Sequence, residues 1–402
     1  MADAKKCDKC GSFYDYPKDS KENRAYNIIN TATRRFIDLC DDCQSSLEDW
    51  IESNKGKEVA APIYGVSGLT DKSTALTRTD DAVGMSFDID RASGAITSDF
   101  NDAFPWNVAE VVVDLDAGKF VSFPEMYFRI GTTAAGAITD VAVSAQPSGG
   151  GKWYRVAPFM YGCYGATVSD EKMRSLSGGS RASNYTREQF RAYARNNGDG
   201  YLPIDLYHRN VLMLLWWIEF ATKDSRSITT GRIYKSGNKS GCSPRPCGGT
   251  DGMTTPSGYE PEYEQMRYHW IEDFIGNMWE MVDGIYMNGA GEHDYVTADP
   301  ENFSEKPDGK KPLSFTNPAS NEVAAYGWDP DNPFLFMPIA TVDNDDCDTY
   351  FCNYAFHYSG IPVMLAGARY YNAYAGCGLS CVDCASASVS VASCGSRLLK
   401  IS

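Results

Sequence analysis

No stretch of this 402-residue chain is apolar for long enough to cross a bilayer: the longest run is Val211–Ile218, and a span needs about twenty residues. The opening MADAKKCDKCGSF also lacks the apolar core of a secretory leader. The expectation is a chain made and folded in a bacterial host cytoplasm, without membrane insertion. Positive charge is short: 37 Lys and Arg stand against 53 Asp and Glu, a net charge of −16. Such a chain repels a phosphate backbone, so nucleic acid is not an expected partner. Histidine is scarce, with only His208, His269, His293 and His357, and no nucleophile motif accompanies them. A Ser–His–Asp triad therefore has no support in the sequence.

In bulk the chain is ordinary for a soluble globular protein, at 43% apolar and 22% charged residues. Its length allows two or three domains. Aromatic residues are frequent, with 25 Tyr and 18 Phe. That excess fits either a loop-rich fold with large buried side chains or a binding surface, where Tyr gives contact area at low entropic cost.

Thirteen cysteines in a reducing compartment need a reason other than disulfides. Four of them form two CxxC pairs, Cys7–Cys10 and Cys40–Cys43. Each CxxC turn brings two thiolates within reach of one tetrahedral zinc, and two turns complete a closed four-sulfur site. Tyr26–Ile29 and Arg35–Leu39 between them read as a hairpin, and Ser45–Ser53 as a short helix. About fifty residues hold too little core to fold alone, and a structural Zn2+ supplies the missing stability. A redox dithiol is the alternative, although its usual βαβ context is absent. Residues 1–53 are thus expected to be a zinc module with a docking or folding role. Residues 54–105 read as a linker and connector, and 106–402 as the main domain.

In the main domain, Val108–Asp114 and Lys119–Ile130 read as two strands joined at Asp116-Ala117-Gly118, with Pro124 at an edge or bulge. Thr186–Asn197 reads as a helix opened by a capping box from Thr186 and Gln189 and stopped at Gly198 and Gly200. Ile204–Lys223 is apolar almost all round and reads as a deeply buried helix. His208 on it lacks a second histidine four residues on, so a packed, hydrogen-bonded role fits better than a metal ligand. Beyond it, short strands alternate with long loops, giving an α+β class with few regular elements. Asp343, Asp345, Asp346 and Asp348 could hold Ca2+, but they lack the Gly and the closing Glu of a known calcium loop.

The window Ala366–Leu399 is peculiar for what it omits. It contains no Lys, Glu, Gln, Met or Trp, although these types make up 61 of the 402 residues and about five were expected in its 34 positions. They are the five that no codon ending in a pyrimidine encodes. Adenine-directed randomisation of AAC or AAT codons would leave this composition, with Cys, Ser, Tyr, Val, Asp, Ala and Gly among the products. Cys377, Cys381, Cys384 and Cys394 then read as products of variation, since their spacing fits no metal template. The plainer alternative is a low-complexity Ser/Ala/Gly tail. Against it, Gly395-Ser396-Arg397-Leu398-Leu399 reads as a buried closing strand.

Gly276-Asn277-Met278-Trp279-Glu280-Met281 resembles the GNVWEW motif of the formylglycine-generating-enzyme type of C-type-lectin-like fold. Ala366-Gly367-Ala368 and Gly395-Ser396-Arg397 follow in the places of that fold's GGS-type and GFR-type strands. The buried helix, the segment Thr77–Gly84 and the strand Phe123–Tyr127 resemble parts of phage tail proteins in this group. Together these cover most of the chain from about residue 62 onward.

The resemblance implies a C-type-lectin-like domain of two helices, short antiparallel strands and long loops. It further implies a variable protein of a diversity-generating retroelement, placed in a virion tail and binding a host cell-surface protein or glycan. Other tail subunits are implied partners, and self-association is compatible, since virion parts are often trimers. The varied ligand-binding surface would lie at about 368–394 and include Arg369, Tyr370, Tyr371, Tyr374, Cys377, Cys381, Asp383, Cys384, Val389, Val391 and Cys394. Enzymes of this fold use two cysteines soon after the GGS motif, and the matching positions here hold Tyr371 and Gly376. Cys347 and Cys352 share the internal spacing but precede the motif. The expectation is a non-enzymatic binding protein. A fixed structural virion protein is the alternative, and an oxidase on the same fold a weaker one.

Overall fold

The computed structural model describes residues 60–233, 243–261, 265–343, 350–351, 353–369, 379 and 382–401, with the backbone of four short strands nearer the N-terminus. The chain divides into two compact units, Met1–Ala60 and Ala61–Ser402. In the first, Ala4–Lys6 pairs antiparallel with Phe13–Asp15, and Ile28–Ile29 with Phe36–Ile37. The second ribbon falls where the hairpin between the CxxC pairs was expected. The helix expected at Ser45–Ser53 lies outside the described residues.

The second unit is mostly β, with two helices among the described residues and several antiparallel sheets, in keeping with an α+β class. Its start corrects the sequence reading, because residues 61–105 are not a linker. Ile63–Ser67 is an inner strand, paired with Ile138–Ser144 on one side and Thr77–Asp80 on the other. Ala95–Ser98 likewise pairs with Phe87–Ile89 and with Ser257–Tyr259. These strands are short and polar at their ends, and their partners lie far along the chain, so their local pattern is weak. A second correction concerns Lys119–Ile130, which is two strands in different sheets. Gly118–Phe123 pairs with Glu110–Asp114 and Phe159–Gly165, whereas Met126–Thr132 pairs with Ile138–Ser144 and Trp153–Val156. Pro124 cannot donate to a ladder, and the chain changes sheet there.

Both helices form where the sequence places them. Arg187–Arg195 opens on Thr186, whose hydroxyl accepts from the Gln189 amide while the Gln189 side chain accepts from the Thr186 amide. The second helix, Leu206–Phe220, opens on Asp205, which accepts from the His208 amide, and closes on Ala221 in the left-handed region at φ 45°. Only Tyr207 and His208 escape full burial along it. Trp217 packs on Tyr326, Phe336 and Phe351, and Trp216 on Tyr268 and Phe220, so this helix is the axis of the core. Its polar residues are matched: the Asn210 amide donates to the carbonyls of Phe334 and Phe336 at 2.8 Å each. The His208 ring sits 2.8 Å from Asp205, the packed and hydrogen-bonded role expected for it. Among the described residues, no helix is long and apolar enough to cross a membrane.

The long loops are tied by buried side chains. Asp294 is fully buried and accepts from the Asn288 amide and the Asn317 side chain, both at 2.7 Å, while its second oxygen has no hydrogen-bond partner. Burial pushes its carboxyl up from 3.8 to about 7, against the pull of the Asn317 and Asn288 hydrogen bonds. The folded chain therefore keeps this proton up to about pH 7, while the unfolded chain loses it near the ordinary 3.8. Between those values the native state binds the extra proton, so stability falls as pH rises and then levels off. Asp294→Asn mimics the protonated carboxyl. We expect it to leave stability almost unchanged near pH 4 and to raise it at pH 8 by a few kcal/mol, since each tenfold difference in proton affinity between the folded and unfolded chain is worth about 1.4 kcal/mol. Urea unfolding at the two pH values checks this, and an equal effect at both would contradict it.

Candidate ligand-binding surface

The three motifs singled out by the sequence become neighbours in one seven-stranded sheet. Trp279–Val282 pairs antiparallel with Val363–Ala366, placing Glu280 opposite Ala366. On its other side it pairs parallel with Cys394–Gly395, placing Trp279 opposite Cys394. Val363–Ala366 in turn pairs with Val382–Ala385, which lies inside the compositionally unusual window. Tyr354–Ala355 pairs parallel with that strand through Ala355 and Val382.

Buried charge underpins this sheet. Arg397 has no exposed surface and donates to the Glu280 carboxylate at 2.7 and 2.9 Å. The same guanidinium donates to the carbonyls of Gly162, Cys163, Glu272 and Asp273. Arg181 adds contacts to Asp273 at 3.1 Å and Glu280 at 3.7 Å. Two cations and two anions thus balance within a dry interior, the condition under which buried charge is tolerated.

The window residues divide sharply by position. Neighbours along a strand point to opposite faces, and directly paired residues share one. Asp383 is paired with Leu365 and Cys384 with Met364, so Asp383 and Cys384 cannot both be displayed on one face. Cys384 packs against the main core together with Met364, and burial, then the Asp383 charge, pushes its thiol up to about 11. Cys394 is 3% exposed beneath Trp279, and its thiol is also pushed up to about 11 by burial. Both corrections have one cause: composition reports which codons were used, whereas facing depends on strand register.

Asp383 and Arg369 are half-buried and interact electrostatically. Burial raises the Asp383 carboxyl, and the Cys384 amide and the Arg369 charge pull it back. Val389 is half-buried against the cluster that contains Trp279 and Leu365, while Val391 is 42% exposed. Tyr370, Tyr371, Tyr374, Cys377 and Cys381 lie outside the described residues, as do the metal candidates Cys7, Cys10, Cys40 and Cys43. Of the acidic run, Asp343 is exposed and accepts from Asn321 at 3.4 Å, and Asp345, Asp346 and Asp348 lie outside the described residues. Among the described residues no group of three His, Cys, Asp or Glu could hold a metal ion.

One feature beside the window escaped the sequence reading. Tyr354, Phe356 and Tyr358 form a row of rings, with centroids 4.4 Å and 6.1 Å apart and planes tilted by 35° and 21°. The Phe356 amide donates to the Val382 carbonyl at 3.0 Å, which fixes the row along the window strand. Exposure rises along it to 49% at Tyr358. Because Ala355 and Val382 share the core side, Tyr354 and Phe356 flank them on the opposite side, the side of Asp383. The period-two spacing in Tyr354-Ala355-Phe356-His357-Tyr358 was the available signal.

The remaining histidines have local partners or none. His269 lies 2.8 Å from buried Glu219, and His293 faces the carbonyls of Leu313 and Phe315. His357 is buried with neither ring nitrogen hydrogen-bonded, and burial lowers it to about 4.

No protein-family model matches the chain, and no curated protein matches it. Among solved structures, "Structure of PvdO from Pseudomonas aeruginosa" aligns with 73% of this chain and 98% of its own, at 13% identity and a TM-score of 0.32, a likeness too remote to bear on fold or function.

Proposed function

We propose that this chain is a non-enzymatic display protein whose surface at about 368–394 is diversified to bind varied targets. The finer reading is a C-type-lectin-like tail protein of a phage, varied by a retroelement, that attaches to a host cell-surface protein or glycan. One observation carries it: the window omits every amino acid that a pyrimidine-ending codon cannot encode. The sheet geometry is compatible, because a varied strand there lies on a framework held by Arg397 and Glu280 rather than by its own side chains. The enzyme reading is disfavoured by Tyr371 and Gly376 at the positions where cysteines would be needed. Virion placement and contacts with other tail subunits belong to the same proposal.

The first unit is proposed to bind structural Zn2+ through Cys7, Cys10, Cys40 and Cys43. Elemental analysis of the purified protein should find one zinc per chain, and chelation should unfold that unit.

The gene's surroundings test the display reading against a fixed structural role. The expected finding is a nearby reverse transcriptase gene and a near-copy of the last hundred or so bases. A gene without either would favour the fixed virion component.

A further inference from the structure

We infer that Leu379 is a fixed anchor inside the variable window, dividing the display segment into two parts that vary on either side of it. This rests on the display reading and deepens it. The window is long, and a varied segment needs points that variation does not reach if the fold is to survive it. Ala368, Val382, Ala385 and Cys394 are such points near its ends, each buried in or beside the sheet. Leu379 lies between them. It is 2% exposed.

Three contacts grip Leu379, all from outside the window. Its amide donates to the Ser225 hydroxyl at 2.9 Å. Its carbonyl accepts from Arg209 Nη2 at 3.1 Å. Its side chain joins Met213, Tyr326, Phe336 and Met364 around a cavity of about 10 Å3. Arg209 sits on the buried helix and Ser225 in the turn that follows it, and both are themselves buried at 3% and 1% exposure. The grip therefore comes from the most rigid part of the core.

The chemistry is selective for an aliphatic residue of this size. The free space admits about one water at most, so an aromatic ring would clash. A smaller residue would leave a cavity, and a polar one would bury groups without partners. Arg209 adds a second reason for constancy. It forms no ion pair among the described residues, its Nη1 has no hydrogen-bond partner, and it lies 5.2 Å from the Phe274 ring. The Leu379 carbonyl is the acceptor that this buried cation uses, so displacing it would leave the charge still poorer in partners.

The test is a display library of the full chain with codons 371, 374 and 379 fully randomised, selected for protease resistance and sequenced. Polar residues at 379 are expected to fall at least about ten-fold in the selected pool, the factor that ~1.4 kcal/mol carries, while 371 and 374 shift less than about two-fold. If 379 accepts Asp, Asn and Ser as freely as 371 does, the anchor is wrong and the display reading stands. If all three positions are depleted alike, the segment is core, and both the anchor and the display reading fail. A second measurement isolates the grip. With leucine amides labelled, exchange at Leu379 should be slow in the parent and at least about ten-fold faster in Ser225→Ala, the factor for one hydrogen bond of ~1.4 kcal/mol. Unchanged exchange would show that the hydroxyl does not hold the segment.

Discussion

Arg397→Met is expected to cost the Ala61–Ser402 unit about 3–5 kcal/mol, the usual loss when one partner of a buried ion pair is removed. Against a net stability of about 5–15 kcal/mol for a folded domain, that is a large share. The loss has three parts. Glu280 would keep only Arg181, at 3.7 Å, as an ionic partner. Four carbonyls, of Gly162, Cys163, Glu272 and Asp273, would lose a donor. These groups belong to segments distant in sequence, so the closing strand would also lose its tie to the Trp279 strand. Arg397→Lys keeps the charge but not the planar fork, and should also be strongly destabilising. Denaturant unfolding of both variants is the check. A midpoint shift worth less than about 0.5 kcal/mol, the range of ordinary surface substitutions, would contradict the framework role.

The opposite outcome is expected for the window tyrosines. Replacing Tyr370, Tyr371 and Tyr374 together with Ala should weaken adsorption of the labelled protein to cells of its host by about 100-fold or more. Aromatic anchors of this kind dominate interfaces at roughly 2 kcal/mol or more each. The melting temperature should barely move, because residues that variation samples freely cannot also be core. A large fall in melting temperature would make the three part of the core. Full binding with unchanged stability would move the contact elsewhere, and the row Tyr354–Phe356–Tyr358 would be the next place to look.

The contrast between these variants reflects what was legible in the sequence. The helix at Arg187–Arg195 was legible because its start depends on two residues three apart, Thr186 and Gln189, and needs no distant partner. The buried helix was legible because it is apolar on every face. The strands at Ile63–Ser67 and Ala95–Ser98 were not, since they are stabilised by ladders to residues 138–144 and 257–259 that no local pattern announces. Pro124 was noticed, but the change of sheet at that point depends on tertiary pairing.

At the candidate site, composition marked the window and motif order placed Trp279, Ala366 and Arg397 as its framework. Facing was another matter. Asp383 and Cys384 are adjacent and equally allowed by the codon argument, yet strand geometry gives them different sides. Cys394 looked like a varied residue by type and is buried by its pairing with Trp279. Leu379 is ordinary in sequence, and only its three contacts distinguish it.

Display of a diversified surface is the central claim, and codon-by-codon deep sequencing of this gene in its native population tests it most directly. The account predicts substitutions concentrated between codons 368 and 394, at sites where the template copy carries adenine, with codon 379 constant among them. A window as invariant as the buried helix Leu206–Phe220 would contradict diversification and leave a fixed structural or binding module in its place.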